Sequence, residues 1–120
     1  MSEQSPLVSV LMPAYNSDKY IAQAIQSILD QSYSNFELCI INDGSTDNTA
    51  EVAQKMCQLD PRVKFIDLQT NKGKWFALNK AIEGANGLFV TCQDADDISL
   101  PDRIERQFGA LRATQTVHNL

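Results

Sequence analysis

Four times along the chain a short apolar run of strand length is followed by a stretch whose apolar residues recur at helical spacing. No other feature limits the fold as much. The runs cover residues 7–12, 36–41, 63–68 and 87–92. Between and after them come Tyr20, Ile21, Ala24, Ile25, Ile28 and Leu29; then Ala50, Ala53, Met56 and Cys57; then Trp75, Leu78, Ala81, Ile82 and Ala85; and finally Ile104, Phe108 and Leu111. These are period-two or continuous segments alternating with period-3.6 segments. No two-residue Asn-Gly turn joins one run to the next, so hairpins are not expected. Consecutive strands linked by helical crossovers run parallel, which predicts an α/β fold with a mostly parallel sheet flanked by helices.

The punctuation agrees with that pattern. Pro13 closes the first run, and Asn16, Ser17 and Asp18 offer N-cap side chains for a helix through Gln31. A second helix is expected from Ser45 or Thr46, a third from Lys74 with Asn86-Gly87 as a left-handed stop, and a fourth from Pro101. Lys64 and Asp67 interrupt the third run and place it nearer a sheet edge, whereas the fourth reads as a buried strand. At 120 residues and 43% hydrophobic, the chain is expected to form one domain over 1–120, with its core over about 6–111 and a frayed tail over 114–120 that holds the lone His118.

The net charge of -5 argues against nucleic acid or an anionic membrane surface as a main partner, since both reward basic patches. No apolar run reaches the length of a spanning helix, and residues 1–6 have no signal-peptide pattern, which makes the cytoplasm the expected compartment, with membrane association left to a full-length context. Cys39, Cys57 and Cys92 form no disulfide framework; Cys39 and Cys92 sit inside apolar runs and read as small buried hydrophobes.

Chemistry concentrates where the runs end. Asp94, Asp96 and Asp97 follow the fourth run directly, and like charges this close call for compensation, which a divalent cation does best. In open α/β sheets ligands bind at the carboxyl ends of the strands. Asp43 stands at the equivalent point after the second run, where it suits either an Asx-type turn or a hydrogen bond to a nucleoside. The loop Pro13-Ala14-Tyr15-Asn16-Ser17 has no glycine, which excludes a dinucleotide fingerprint, and no P-loop occurs. Tyr15 is either a structural aromatic or a platform for a base. Asp94, Asp96 and Glu105 match three calcium-loop positions, but Ser99 stands where that loop needs glycine and Pro101 interrupts it. A phosphoacceptor receiver domain needs its acid pair after the first strand, where Met12-Pro13-Ala14 stands instead.

Taken in order, residues 8–16 (VSVLMPAYN), 41–47 (INDGSTD), Asn71-Lys72-Gly73 with Ala77-Leu78-Asn79, and Asp94-Ala95-Asp96-Asp97 resemble the signature of the family 2 glycosyltransferases. The resemblance implies a GT-A fold and a nucleotide-diphospho-sugar donor, most often UDP-linked, held with Mn2+ or Mg2+. It implies that Pro13, Ala14 and Tyr15 line the nucleoside pocket and that Asp43 accepts from the uracil or its ribose. Asp94-Ala95-Asp96 matches the family's DxD, which the resemblance implies binds the nucleotide-sugar through all three residues, with Asp94 toward the ribose and Asp96, aided by Asp94, on the metal. Asp97 then supports the loop or caps the fourth helix. Lys74 lies near a position where the family often has a basic or polar residue facing the donor, and Leu78 departs from the family's common Arg.

The implied activity is inverting transfer of a sugar to an acceptor hydroxyl on a glycan or lipid-linked acceptor. The family's general base comes well after the DxD, so it is expected beyond residue 120 together with the acceptor-binding part. The 120 residues alone are then expected to hold donor without transferring at an enzymatic rate. The alternative is a domain that binds nucleotide-sugar, or a partner, without catalysis.

Overall fold

The structure, a computed structural model, describes residues 5–109. The expectations for Leu111, for the 114–120 tail and for His118 fall outside them. Four parallel strands lie in the order β3-β2-β1-β4: β1 (Val8–Ala14), β2 (Phe36–Asn42), β3 (Val63–Asp67) and β4 (Phe89–Cys92). Helices α1 (Ile21–Leu29), α2 (Thr49–Leu59) and α3 (Lys74–Glu83) make the crossovers, and a further helical stretch covers 103–109. No helix among the described residues is long and apolar enough to cross a membrane.

The central strands are covered on both faces, as parallel strands require. Val8, Val10, Met12 and Ala14 of β1 join Phe36, Leu38 and Ile40 of β2 against Ile21, Ala24, Ile25 and Ile28 of α1, Ala53 of α2 and Ile104. Leu11, Cys39 and Ile41 face the other way, onto Ala77, Leu78 and Ala81 of α3. Alternation along the strands thus sends one set of side chains to each helical layer. Each buried Leu or Ile side chain contributes about 1.5–3 kcal/mol relative to exposure.

Several expectations change. β1 runs through Pro13 to Ala14 instead of stopping at Met12. Leu11 accepts from Gln93 N–H on the β4 side and Ala14 accepts from Asp43 N–H on the β2 side, so residue 13 would direct an N–H toward β4. The β4 ladder ends at Leu11↔Cys92, and the N–H that Pro13 lacks is not needed. α2 begins at Thr49, later than Ser45 or Thr46, because the intervening residues bond to the loop after β1. α1 is entered through a turn closed by Ile21 N–H on Ser17 C=O, with no side-chain cap from Asn16, Ser17 or Asp18.

α3 buries Ala77, Leu78 and Ala81, while Trp75 (76% exposed) and Ile82 (52%) point outward. Small alanines let the helix lie close to the sheet, a fit that an indole in the same face would prevent. α3 ends at Gly84 with φ −102°, not at a left-handed Asn86-Gly87 stop. Gly87 is required for space instead: a Cβ there would lie 2.5 Å from Ser9 N. β3 is an edge, as its charges imply, but β4 is an edge as well among the described residues, so it is half-exposed and Cys92 is exposed rather than buried. Cys39 is buried, and that burial, aided by the nearby Glu37 charge, raises its thiol to about 11.

Below the sheet's middle, at the amino ends of β1 and β2, Glu37 is buried beneath Asn86. It accepts from Ser9 Oγ at 2.6 Å, Asn86 N–H at 2.7 Å and Lys64 Nζ at 2.6 Å. Burial alone would raise its carboxyl, but the bonds from Asn86, Lys64 and Ser9 outweigh it and hold the group down to about 2.

Candidate functional site

The loops after β1 and β2 are tied to each other before they can present anything. Asn16, held at φ 48°, donates its N–H to Ser45 Oγ at 3.0 Å and accepts from Thr46 N–H on Oδ1 at 2.8 Å. Ser17 N–H donates to Thr49 Oγ1 at 2.7 Å, and Thr49 Oγ1 donates on to Asp47 at 2.6 Å. Burial works to raise the Asp47 carboxyl, and the bonds from Thr49 and the Asp18 amide outweigh it and keep it below its ordinary value. Asn16, Ser45, Thr46 and Asp47 are therefore framework, and the Asx turn belongs to Asp47, whose Oδ1 accepts from Thr49 N–H at 2.9 Å, while Asn42 Oδ1 accepts from Ser45 N–H three residues on.

Asp43 is buried, and its carboxylate reaches across to a third loop. Oδ1 accepts from Lys72 N–H at 2.7 Å and Oδ2 from Gly73 N–H at 3.0 Å, the amides that lead into α3. Gly44 beside it has φ 70°, and a Cβ there would lie 2.3 Å from Asn71 N, so the 70–73 segment lies directly on this turn. One carboxylate thus joins the end of β2 to the start of α3. Since a carboxylate offers about four acceptor sites, it retains capacity for a ligand donor.

Pro13, Ala14, Tyr15, Asp43, Asn71, Gly73, Lys74 and Asp94 line one cavity of about 260 Å³ at the carboxyl edge of the sheet. Residues from four separate motifs meet there, as expected for the end of a parallel sheet. Tyr15 is 49% exposed, so its ring is open to stacking and is not a core aromatic. Leu78, in contrast, is buried against Leu11 and Ile41, and nothing basic occupies the place of the family's Arg. The side chain of Ala95, the middle residue of the acid motif, is 3% exposed and packs in the core with α1.

The carboxylates of Asp94, Asp96 and Asp97 are exposed and lie within 4.8 Å of one another. Three hard oxygen donors at this separation fit Mg2+ or Mn2+ better than any soft metal. Lys74 Nζ lies 2.9 Å from Asp94 Oδ1, and that hydrogen bond with the Asp94 charge raises the ammonium's pKa above its ordinary value. A wider cleft of about 680 Å³ adjoins, sharing Lys74 and Asp94 and continuing along Asp97, Leu100, Arg103 and Arg106.

Two residues that the motif reading passes over hold the acid loop in place. Gln93 is buried; its Nε2 donates to Ala24 C=O of α1 at 3.2 Å and to Asp97 C=O at 2.9 Å. Its Oε1 accepts from Ser99 Oγ and from Arg103. Arg103 also donates to Cys92 C=O at 2.6 Å and to Thr91 Oγ1 at 3.1 Å, which fastens the end of β4 to the helical stretch. Asp97 takes part through its backbone, its N–H donating to Asp94 C=O at 3.1 Å, which is the loop-supporting role expected of it. A polar residue between an apolar run and an acid cluster was the available signal for Gln93; nothing local marks Arg103.

Comparison with known proteins agrees with this geometry. The model of "Glycosyl transferase family 2" matches residues 9–119. An uncharacterised glycosyltransferase of Haemophilus influenzae is 43% identical over 102 residues, covering 85% of this chain and 41% of the relative. Among solved structures, Staphylococcus aureus TarS 1-349 in complex with UDP-GlcNAc superposes with TM-score 0.75 at 32% identity, over 85% of this chain and 30% of that one. The mannosyltransferase PcManGT of Pyrobaculum calidifontis, in complex with GDP-Man and Mn2+, gives TM-score 0.73 at 29% identity, over 78% and 28% respectively. The chain thus spans under half the length of the curated relatives it matches.

Proposed function

The chain belongs to the family 2 glycosyltransferases, and we propose on that footing that residues 1–120 are the donor-binding part of an inverting, metal-dependent enzyme that draws on a nucleotide-diphospho-sugar, UDP-linked. The observation that carries the reading is the convergence of Asp43, Tyr15, Lys74 and Asp94 on one cavity, with Asp96 and Asp97 clustered about Asp94, one oxygen of each within 4.8 Å of the others. Support for the nucleotide comes from TarS, solved with UDP-GlcNAc, and for the cation from PcManGT, solved with Mn2+.

In this reading Tyr15 offers its open ring to the base, with Pro13 and Ala14 forming the floor. Asp43 accepts from the base or ribose, already held rigid by the Lys72 and Gly73 amides. Asp94 takes the ribose side and Asp96, aided by Asp94, the metal, with Mn2+ or Mg2+ as the ion. When bound, that ion supplies positive charge against the diphosphate as it leaves. Lys74 offers a second positive charge on the same side, and Gln93 and Arg103 keep the acids from shifting as charge develops.

The acceptor hydroxyl, on a glycan or lipid-linked molecule, attacks the anomeric carbon with inversion. We assign no general base within 5–109 and place it, with the acceptor-binding part, in the longer protein. The compartment we propose is the cytoplasm, which the free thiols of Cys39, Cys57 and Cys92 support.

Calorimetric titration of UDP with and without Mn2+ tests the division of roles. Asp96→Ala is expected to lose the metal-dependent tightening, and Asp43→Asn to weaken UDP whether or not the metal is present. Losses with the same metal dependence in both variants would contradict it.

A further inference from the structure

We propose that Lys74 is a tethered counter-ion that occupies the acid cluster until a divalent cation displaces it, so that cation loading and lysine release are coupled. The inference rests on the donor reading and adds to it a competitor for the metal that belongs to the chain itself.

Lys74 is the first residue of α3, and no acidic residue lies in that helix's first turn. An ammonium at a helix N-terminus faces the positive end of the backbone dipole, which local preference disfavours. Its partner comes from the opposite wall: Nζ lies 2.9 Å from Asp94 Oδ1, twenty residues further along the chain. What places the lysine is therefore the acid cluster and not the helix.

The pair is also built to exchange. Both side chains are about half exposed, 51% for Lys74 and 48% for Asp94, and ion pairs in such solvent are weak enough to open readily. Lys74 borders both the 260 Å³ cavity and the 680 Å³ cleft, so the released side chain remains inside the site. With the three carboxylates within 4.8 Å of one another, a cation among them sits close to the ammonium's present position and is repelled by it. A diphosphate arriving with the cation gives the ammonium a new anionic partner. The cation and the nucleotide accordingly help each other bind by more than their direct contact provides.

The test is Mn2+ titration followed by electron paramagnetic resonance of free Mn2+, with and without UDP. Lys74→Met is expected to bind Mn2+ roughly two- to fivefold more tightly than wild type in the absence of UDP, the size of one exposed ion pair, and to gain less from added UDP. Lys74→Arg keeps the charge and is expected to tighten Mn2+ less than Lys74→Met does. On an Asp94→Asn background, Lys74→Met should change Mn2+ affinity little, since the partner is already gone.

Unchanged or weaker Mn2+ binding by Lys74→Met without UDP overturns the inference. The donor reading survives that result as long as UDP still tightens Mn2+ on the wild type. If UDP fails to tighten Mn2+ on the wild type, the donor reading falls and this inference falls with it.

Discussion

Asp43 shows how one side chain serves structure and ligand together. Its two oxygens satisfy the Lys72 and Gly73 amides in a partly buried position, so removing it opens the tie between the end of β2 and the start of α3. Asp43→Ala is expected to lower unfolding stability by about 1.5–3 kcal/mol, the scale of hydrogen bonds to a charged group. Asp96 is exposed at the rim, and Asp96→Asn should leave stability within about 0.5 kcal/mol. Urea denaturation of the two variants checks the contrast; equal losses would remove the distinction between clamp and rim acid. In the sequence, both acids are legible as strand-end carboxylates, because each follows an apolar run. What is not legible is which loop each one meets. Asp43 finds its donors about thirty residues downstream and Lys74 its acid twenty residues downstream, and such pairings depend on strand order, which local pattern does not encode.

Among the elements, the two central strands and the charged edge β3 were readable, and the apolar edge β4 was not. β1 and β2 are apolar but for Ser9, Glu37 and Asn42, and their type follows from that, although β1 runs two residues past the end its apolar run predicts. β4 has the same composition, yet its burial depends on its neighbours in the sheet, so Cys92 could not be placed from its own run. α3 offers two apolar stripes, Trp75 with Ile82 and Ala77 with Leu78 and Ala81, and only the packing distance to the sheet selects the second.

The element pair β2 and β3 also carries a pH dependence. The Glu37 carboxyl titrates near 2 in the folded chain against an ordinary 4.5, so its stabilisation is complete above about 4.5 and is lost as pH falls toward 2. That interval corresponds to at most about 3 kcal/mol. Denaturation midpoints between pH 5 and pH 2 are expected to fall less steeply for Glu37→Gln than for wild type. Parallel slopes would show that the Ser9, Lys64 and Asn86 contacts do not favour the charged form.

At the scale of the molecule, a chain of net charge -5 presents its acids at the mouth of a cavity read here as taking a diphosphate. Without a cation the two repel, and no glycine-rich loop supplies bare amides in compensation. The most direct measurement is therefore the thermal unfolding of the protein with UDP plus Mn2+, with Mn2+ alone, and with UDP plus EDTA. At one hundred times the dissociation constant, UDP with Mn2+ should add about 2.7 kcal/mol of stability, with far less from UDP in EDTA. A shift in EDTA equal to that in Mn2+ would contradict the account.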